Sequence, residues 1–102
     1  MRCITVLYPN SPGVRFDFTY YKEKHATLIT RLYGKGIARH ELRRGIAGPD
    51  GGKPQYVATI NFWIGDQAAF DAAQAQHAAE LIADVPNFTN VQPSIQIDEV
   101  VS

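Results

Sequence analysis

The chain has 102 residues, with ten basic and ten acidic side chains and no formal net charge. That is room for one two-layer core, and it lacks the charge surplus expected of nucleic-acid or anionic-membrane partners. A single cysteine, Cys3, excludes an intramolecular disulfide. No apolar run approaches membrane-spanning length, none follows Arg2 as a secretory signal would require, and the expected location is cytoplasmic.

Residues Arg2 to Tyr8 predict a first strand, with Cys3, Thr5 and Leu7 on one face and Ile4, Val6 and Tyr8 on the other. The turn formers Pro9-Asn10-Ser11-Pro12-Gly13 end it. From Phe16 to Leu32 the apolar spacing becomes helical: Phe18, Tyr21, His25, Leu28 or Ile29, and Leu32 share a face, while Lys22, Glu23 and Thr30 look outward. Asp17 is half a capping signal, Thr19 opens a polar stretch, and Gly34 marks the end. Ile37 to Ile46 predicts a charged edge strand, and Ala47 to Pro54 a hairpin loop. Gln55 to Ile64 is the clearest strand, with Tyr56, Ala58, Ile60, Phe62 and Ile64 on its apolar face. Asp66 is a candidate cap for a second helix from Gln67 to about Ala83, striped by Phe70, Ala73, His77 and Leu81. Asp84-Val85-Pro86-Asn87-Phe88 stops that helix, and Val91 to Val100 supplies the last strand.

Strand, helix, strand, strand, helix, strand, joined by right-handed crossovers, is met most economically by an α+β ferredoxin-like βαββαβ sandwich. Residues 1–102 then form a single domain, a four-stranded antiparallel sheet with both helices on one face. Tyr56, Ala58, Ile60, Phe62, Ile95 and Ile97 are placed toward the helices. Val57, Thr59, Asn61, Trp63 and His40 are placed on the opposite face. A face holding Val57 and Trp63 is too apolar to leave in water and too polar for a dry core. It predicts a homodimer whose open sheet faces stack around a polar-lined space.

Two polar rings on the apolar stripe of the first helix, Tyr21 and His25, must find partners or line a cavity. An imidazole exchanges protons near neutral pH, and a phenol one turn away orients it or binds a substrate oxygen. Tyr21 and His25 are therefore the candidate catalytic pair. Asn61, Trp63 and His40 are the candidate ligand contacts in the inter-sheet space. His77 reads as structural and Cys3 as a small buried hydrophobe. Arg39, Arg43 and Arg44, interrupted by Glu41, read as a solvated edge. The histidines lack metal-ligand spacing and no serine stands in a nucleophile elbow, so neither metal nor cofactor is expected.

The run FDFTYYKEKHATLI, positions 16 to 29, resembles the signature helix of the EthD family. DVPNFTNVQPS, positions 84 to 94, is similar to that family's link between the second helix and the last strand. The resemblance implies a ferredoxin-like fold that pairs into a dimeric α/β barrel. The family is named for a protein encoded with an ethyl tert-butyl ether degradation system. Relatives across its superfamily include cofactor-free monooxygenases, polyketide cyclases, muconolactone isomerases and haem enzymes. The family's histidine falls on His25 and the aromatic before it on Tyr21. Thr27 stands where the family often has proline, which predicts an uninterrupted helix. Two functions are then open. One is a cofactor-independent enzyme moving a proton on a hydrophobic, oxygenated small molecule, as a cyclase, isomerase or monooxygenase-type oxidoreductase does. The other is a non-catalytic ligand-binding or accessory protein of a catabolic or biosynthetic pathway.

Overall fold

The computed structural model describes all 102 residues. Strand β1 spans Arg2–Pro9, β2 Ile37–Arg44, β3 Tyr56–Ile64 and β4 Ser94–Glu99, in the sheet order β2-β3-β1-β4 with every pair antiparallel. The first helix, α1, covers residues 18–33 and the second, α2, is Gln67–Asp84. This is the expected ferredoxin-like arrangement.

Each helix starts where a carboxylate satisfies its free amides. Asp17 accepts from Tyr20 N–H at 2.9 Å, and Asp66 from Ala69 N–H at 2.8 Å. Asp17 is thus the full cap that the sequence only half signalled. Gly34, at φ 50°, lets α1 stop in a conformation that a Cβ would disfavour. Gly36 lies so close to α2 that a Cβ there would stand 2.8 Å from the Phe70 backbone.

The first helix is not uniform. It opens as Phe18–Tyr20, widens into a π-helical turn over Tyr21–His25, and resumes as Ala26–Tyr33. Thr27 keeps the helix continuous, as expected, but the regular α spacing fails at the two residues singled out for chemistry. A π turn inserts a residue into the ladder and re-aims the side chains around it.

The core lies between sheet and helices in two clusters, one of Val6, Tyr8, Tyr21, Ala26, Ala58, Ile60 and Phe88, the other of Ile29, Tyr33, Ile64, Phe70 and Ala73. One placement needs correction. His40 pairs with Phe62 and Leu42 with Ile60, so His40 shares the helix-facing side of β2 and not the open face. Ile95 and Ile97 lie opposite Val6 and Ile4, on the helix-facing side as expected, yet stay 63% and 67% exposed because the helix layer does not reach the β4 edge. His77, only half-buried beside Glu80, stands at the rim of its stripe.

Candidate functional site

The end of β1, the start of α1 and the segment after α2 meet at one end of the sandwich. Phe88, fully buried, is the centre of this meeting. Its ring lies 4.7 Å from that of His25, 5.1 Å from Tyr21, 5.3 Å from Phe16 and 6.0 Å from Tyr8. The edge-on and tilted orientations are those that aromatic quadrupoles favour. Tyr21 and His25 keep their own contact, with ring centres 5.1 Å apart.

A carboxylate whose local sequence marks only the end of the second helix completes the group. Asp84, the last residue of α2, accepts from His25 Nδ1 at 2.8 Å through Oδ2. Its Oδ1 accepts from the Tyr20 hydroxyl at 2.7 Å and from Asn87 Nδ2 at 2.9 Å. Partial burial alone would raise the Asp84 pKa, but hydrogen bonds from His25, Asn87 and Tyr20 outweigh it and hold the carboxyl below its ordinary value. An ionised carboxylate only accepts, so the proton of the pair sits on His25 Nδ1. In the neutral ring Nε2 then carries a bare lone pair. Tyr20, in the first turn of α1, is one of the three donors that fix this carboxylate.

Nε2 of His25 and the hydroxyls of Tyr8 and Tyr21 have no hydrogen-bond partner in the protein, and no side-chain nitrogen or oxygen sealed from solvent lacks one. The tips of these three buried side chains therefore reach the accessible surface, although His25 as a whole is 5% exposed and Tyr21 3%. Burial pushes the Tyr8 hydroxyl up to about 12. Burial, reinforced by the neighbouring Tyr8 hydroxyl, raises Tyr21 further. Both phenols stay protonated across the physiological range and can only donate to, or accept from, a bound oxygen as neutral groups.

The remaining candidates lie elsewhere. Asn61 and Trp63 are on the open face of β3, with the sheet between them and His25. There Asn61 meets the Thr5 hydroxyl at 3.0 Å, that hydroxyl meets Asp98 at 2.7 Å, and the Arg39 guanidinium covers the Trp63 ring at 4.1 Å. His40 is exposed on the edge strand, its ring 6.2 Å from that of Phe62. Cys3 is buried on the open face beside Asn61, as a small hydrophobe would be. No three His, Cys, Asp or Glu side chains converge as a metal-binding group. Two surface depressions, one around Met1, Ile64 and Gln67 and one along the loop from Ala47 to Gln55, touch none of the Tyr8, Tyr21 and His25 tips.

A family model for the EthD domain matches residues 14–92, a span that holds both the π turn and Asp84. The chain belongs to the EthD family. An EthD-like protein from Ralstonia eutropha has the same fold with a TM-score of 0.90; the two are 34% identical, over 99% of this chain and 92% of that one. An EthD family protein from Bacillus halodurans aligns with a TM-score of 0.71 at 18% identity, over 99% of each chain. SnoaB, a cofactor-independent oxygenase from Streptomyces nogalater, aligns with a TM-score of 0.59 at 13% identity, over 99% of this chain and 92% of its own, a likeness of fold alone. Comparison with curated proteins gave no match.

Proposed function

We propose that this EthD family member is an enzyme that removes a proton from a hydrophobic, oxygenated small molecule without a bound cofactor. The observation that carries this reading is the Asp84–His25 pair at 2.8 Å, which commits Nδ1 and leaves Nε2 without a protein partner. In the reaction, Nε2 takes a proton from a carbon beside a carbonyl, or from a phenol. The electron pair moves onto the substrate oxygen, where the Tyr21 hydroxyl donates a hydrogen bond to the developing charge. Asp84 stabilises the imidazolium that forms. Cyclisation, isomerisation or reaction with dioxygen are the onward courses open to such an anion. The existence of a cofactor-independent oxygenase on the same fold supports this choice of chemistry.

A second reading rests on burial. With His25 and Tyr21 packed against Phe16 and Phe88, the Asp84–His25 bond also works as a clamp between the two helices of a non-catalytic binding protein. The two readings part on proton exchange. Wild-type protein in heavy water is incubated with a panel of cyclic aryl ketones such as α-tetralone, and deuterium uptake beside the carbonyl is followed by NMR. Catalysed uptake that disappears in His25→Gln and falls in Tyr21→Phe supports the enzyme. Uptake no faster than in buffer across the panel, or undiminished in a folded His25→Gln, favours the clamp.

The protein also forms a homodimer on this reading. The open face mixes Leu7, Val57 and Trp63 with the Asn61–Thr5–Asp98 network, a surface that a second copy covers better than water does. Asn61 and Trp63 then belong to the inter-sheet space and are not part of the His25 site. A cytoplasmic location fits the single cysteine, and no helix is long and apolar enough to cross a membrane.

A further inference from the structure

The three arginines of β2 look alike in sequence and differ in the fold. Arg39 and Arg43 point to the open face, where both approach Glu41, at 3.5 Å and 3.4 Å. Arg44 is on the other side of the strand, facing the helices, and has no acidic partner and no hydrogen bond. Its guanidinium lies 4.2 Å over the ring of Phe18. The cation is thus held against an apolar ring, and its N–H donors have no partner in the protein. A guanidinium so placed suits a planar carboxylate, which can take two parallel hydrogen bonds from it.

Arg44 is joined to the catalytic group by an unbroken aromatic surface. Phe18 meets Phe16 with ring centres 4.5 Å apart, and Phe16 meets Tyr8 at 5.1 Å and Tyr21 at 5.9 Å. Phe16 and Phe18 are only half-buried, so their ring edges are available to a ligand. Across the sheet Arg44 pairs with Ala58, and Ala58 pairs with Tyr8, all three on one face. Two strand spacings make the separation of the Arg44 and Tyr8 backbones roughly 10 Å. A molecule of two fused rings carrying a carboxylate spans about that distance. Asp17, the nearest acid in sequence to Phe18, is held as the helix cap on Tyr20 N–H and does not neutralise Arg44.

Building on the proposed enzyme reading, we infer that the substrate is an aromatic or fused-ring carboxylate. Its anionic end docks on Arg44, its rings lie along Phe18 and Phe16, and its reacting oxygen sits at Tyr21 and His25. Arg44 is then the residue that selects charged over neutral substrates.

The probes are a hydroxynaphthoate and its methyl ester, which share rings and hydroxyl and differ in charge. Titration calorimetry on the full chain is expected to show the acid binding about tenfold more tightly than the ester, a preference that shrinks as salt rises. Arg44→Gln, at an exposed position with circular dichroism as the folding check, lowers the affinity for the acid to that of the ester. Tyr21→Phe weakens both probes, because it acts at the shared hydroxyl end. Equal binding of acid and ester by the wild type, or a preference that survives Arg44→Gln, overturns the Arg44 assignment while leaving the His25 site in place. Binding of neither probe overturns both.

Discussion

Replacing Asp84 with alanine separates the helix-joining role of the pair from everything around it. The carboxylate serves three donors, but Asn87 is exposed and Tyr20 is half-buried, so both turn to water when it is lost and add little to the cost. His25, 5% exposed, cannot do so. Its Nδ1–H is left without an acceptor inside the aromatic cluster, a loss of about 1–3 kcal/mol. With a urea slope of about 1 kcal/mol/M for a domain of this size, the unfolding midpoint falls by about 1–3 M at constant slope. Repeating the substitution on a His25→Leu background, where no polar ring remains to be orphaned, reduces the loss to a fraction of that. The same bond sets a pH dependence. Because Asp84 is held below its ordinary value when folded, its contribution is complete above the unfolded carboxylate range near pH 4 and is lost as the pH falls through the depressed value. If Asp84→Ala is as stable as the wild type at neutral pH, or costs the same with and without His25, the pair does not hold the helices together as argued.

Other expectations follow from the same geometry. The Tyr8 and Tyr21 phenols, raised to about 12 and above, retain their protons when unfolded tyrosines at 10.0 have lost theirs. Their contribution to stability is present below pH 10 and is lost as the pH rises toward the folded values, so ultraviolet titration shows late-ionising tyrosines and alkaline unfolding sets in with them. Gly36→Ala drives a methyl group to 2.8 Å from the Phe70 backbone and costs about 1–3 kcal/mol in thermal or urea unfolding. Phe88→Ala removes the ring at the centre of the aromatic group and costs about 3–5 kcal/mol. Sedimentation of the wild type as a dimer, and of Trp63→Glu as a folded monomer, is the outcome that the open-face interface requires.

What the residues disclosed in advance depended on the range of the signal. Alternation in QYVATINFWI and the spacing around Phe70 and Ala73 gave elements within a residue or two of those observed, because both report local periods. The partner of His25 was out of reach, since Asp84 lies 59 residues away and reads locally as a helix end. The π turn was equally hidden, because a search at 3.6 residues per turn assumes the regularity that Tyr21–His25 breaks. His40 could have been placed correctly. It shares parity with Leu42, whose apolar side chain belongs on the covered side, whereas the strand shifts register between Ile37 and Arg39 and spoils counting from its start. For Ile95 and Ile97 alternation supplied the face, but whether the helix layer extends over the edge strand is a tertiary fact. Arg44 shares the parity of His40 and Leu42, so alternation already set it apart from Arg39, Glu41 and Arg43, whereas its place over the Phe18 ring is a tertiary fact.

The ring nitrogens of His25 provide the most direct test. Long-range proton–nitrogen NMR at a pH where the ring is neutral is predicted to show the proton on Nδ1 and a bare Nε2 whose resonance moves when the hydroxynaphthoate ester is added. A proton on Nε2, or an Nε2 resonance that no added probe disturbs, would contradict an accessible base held by Asp84.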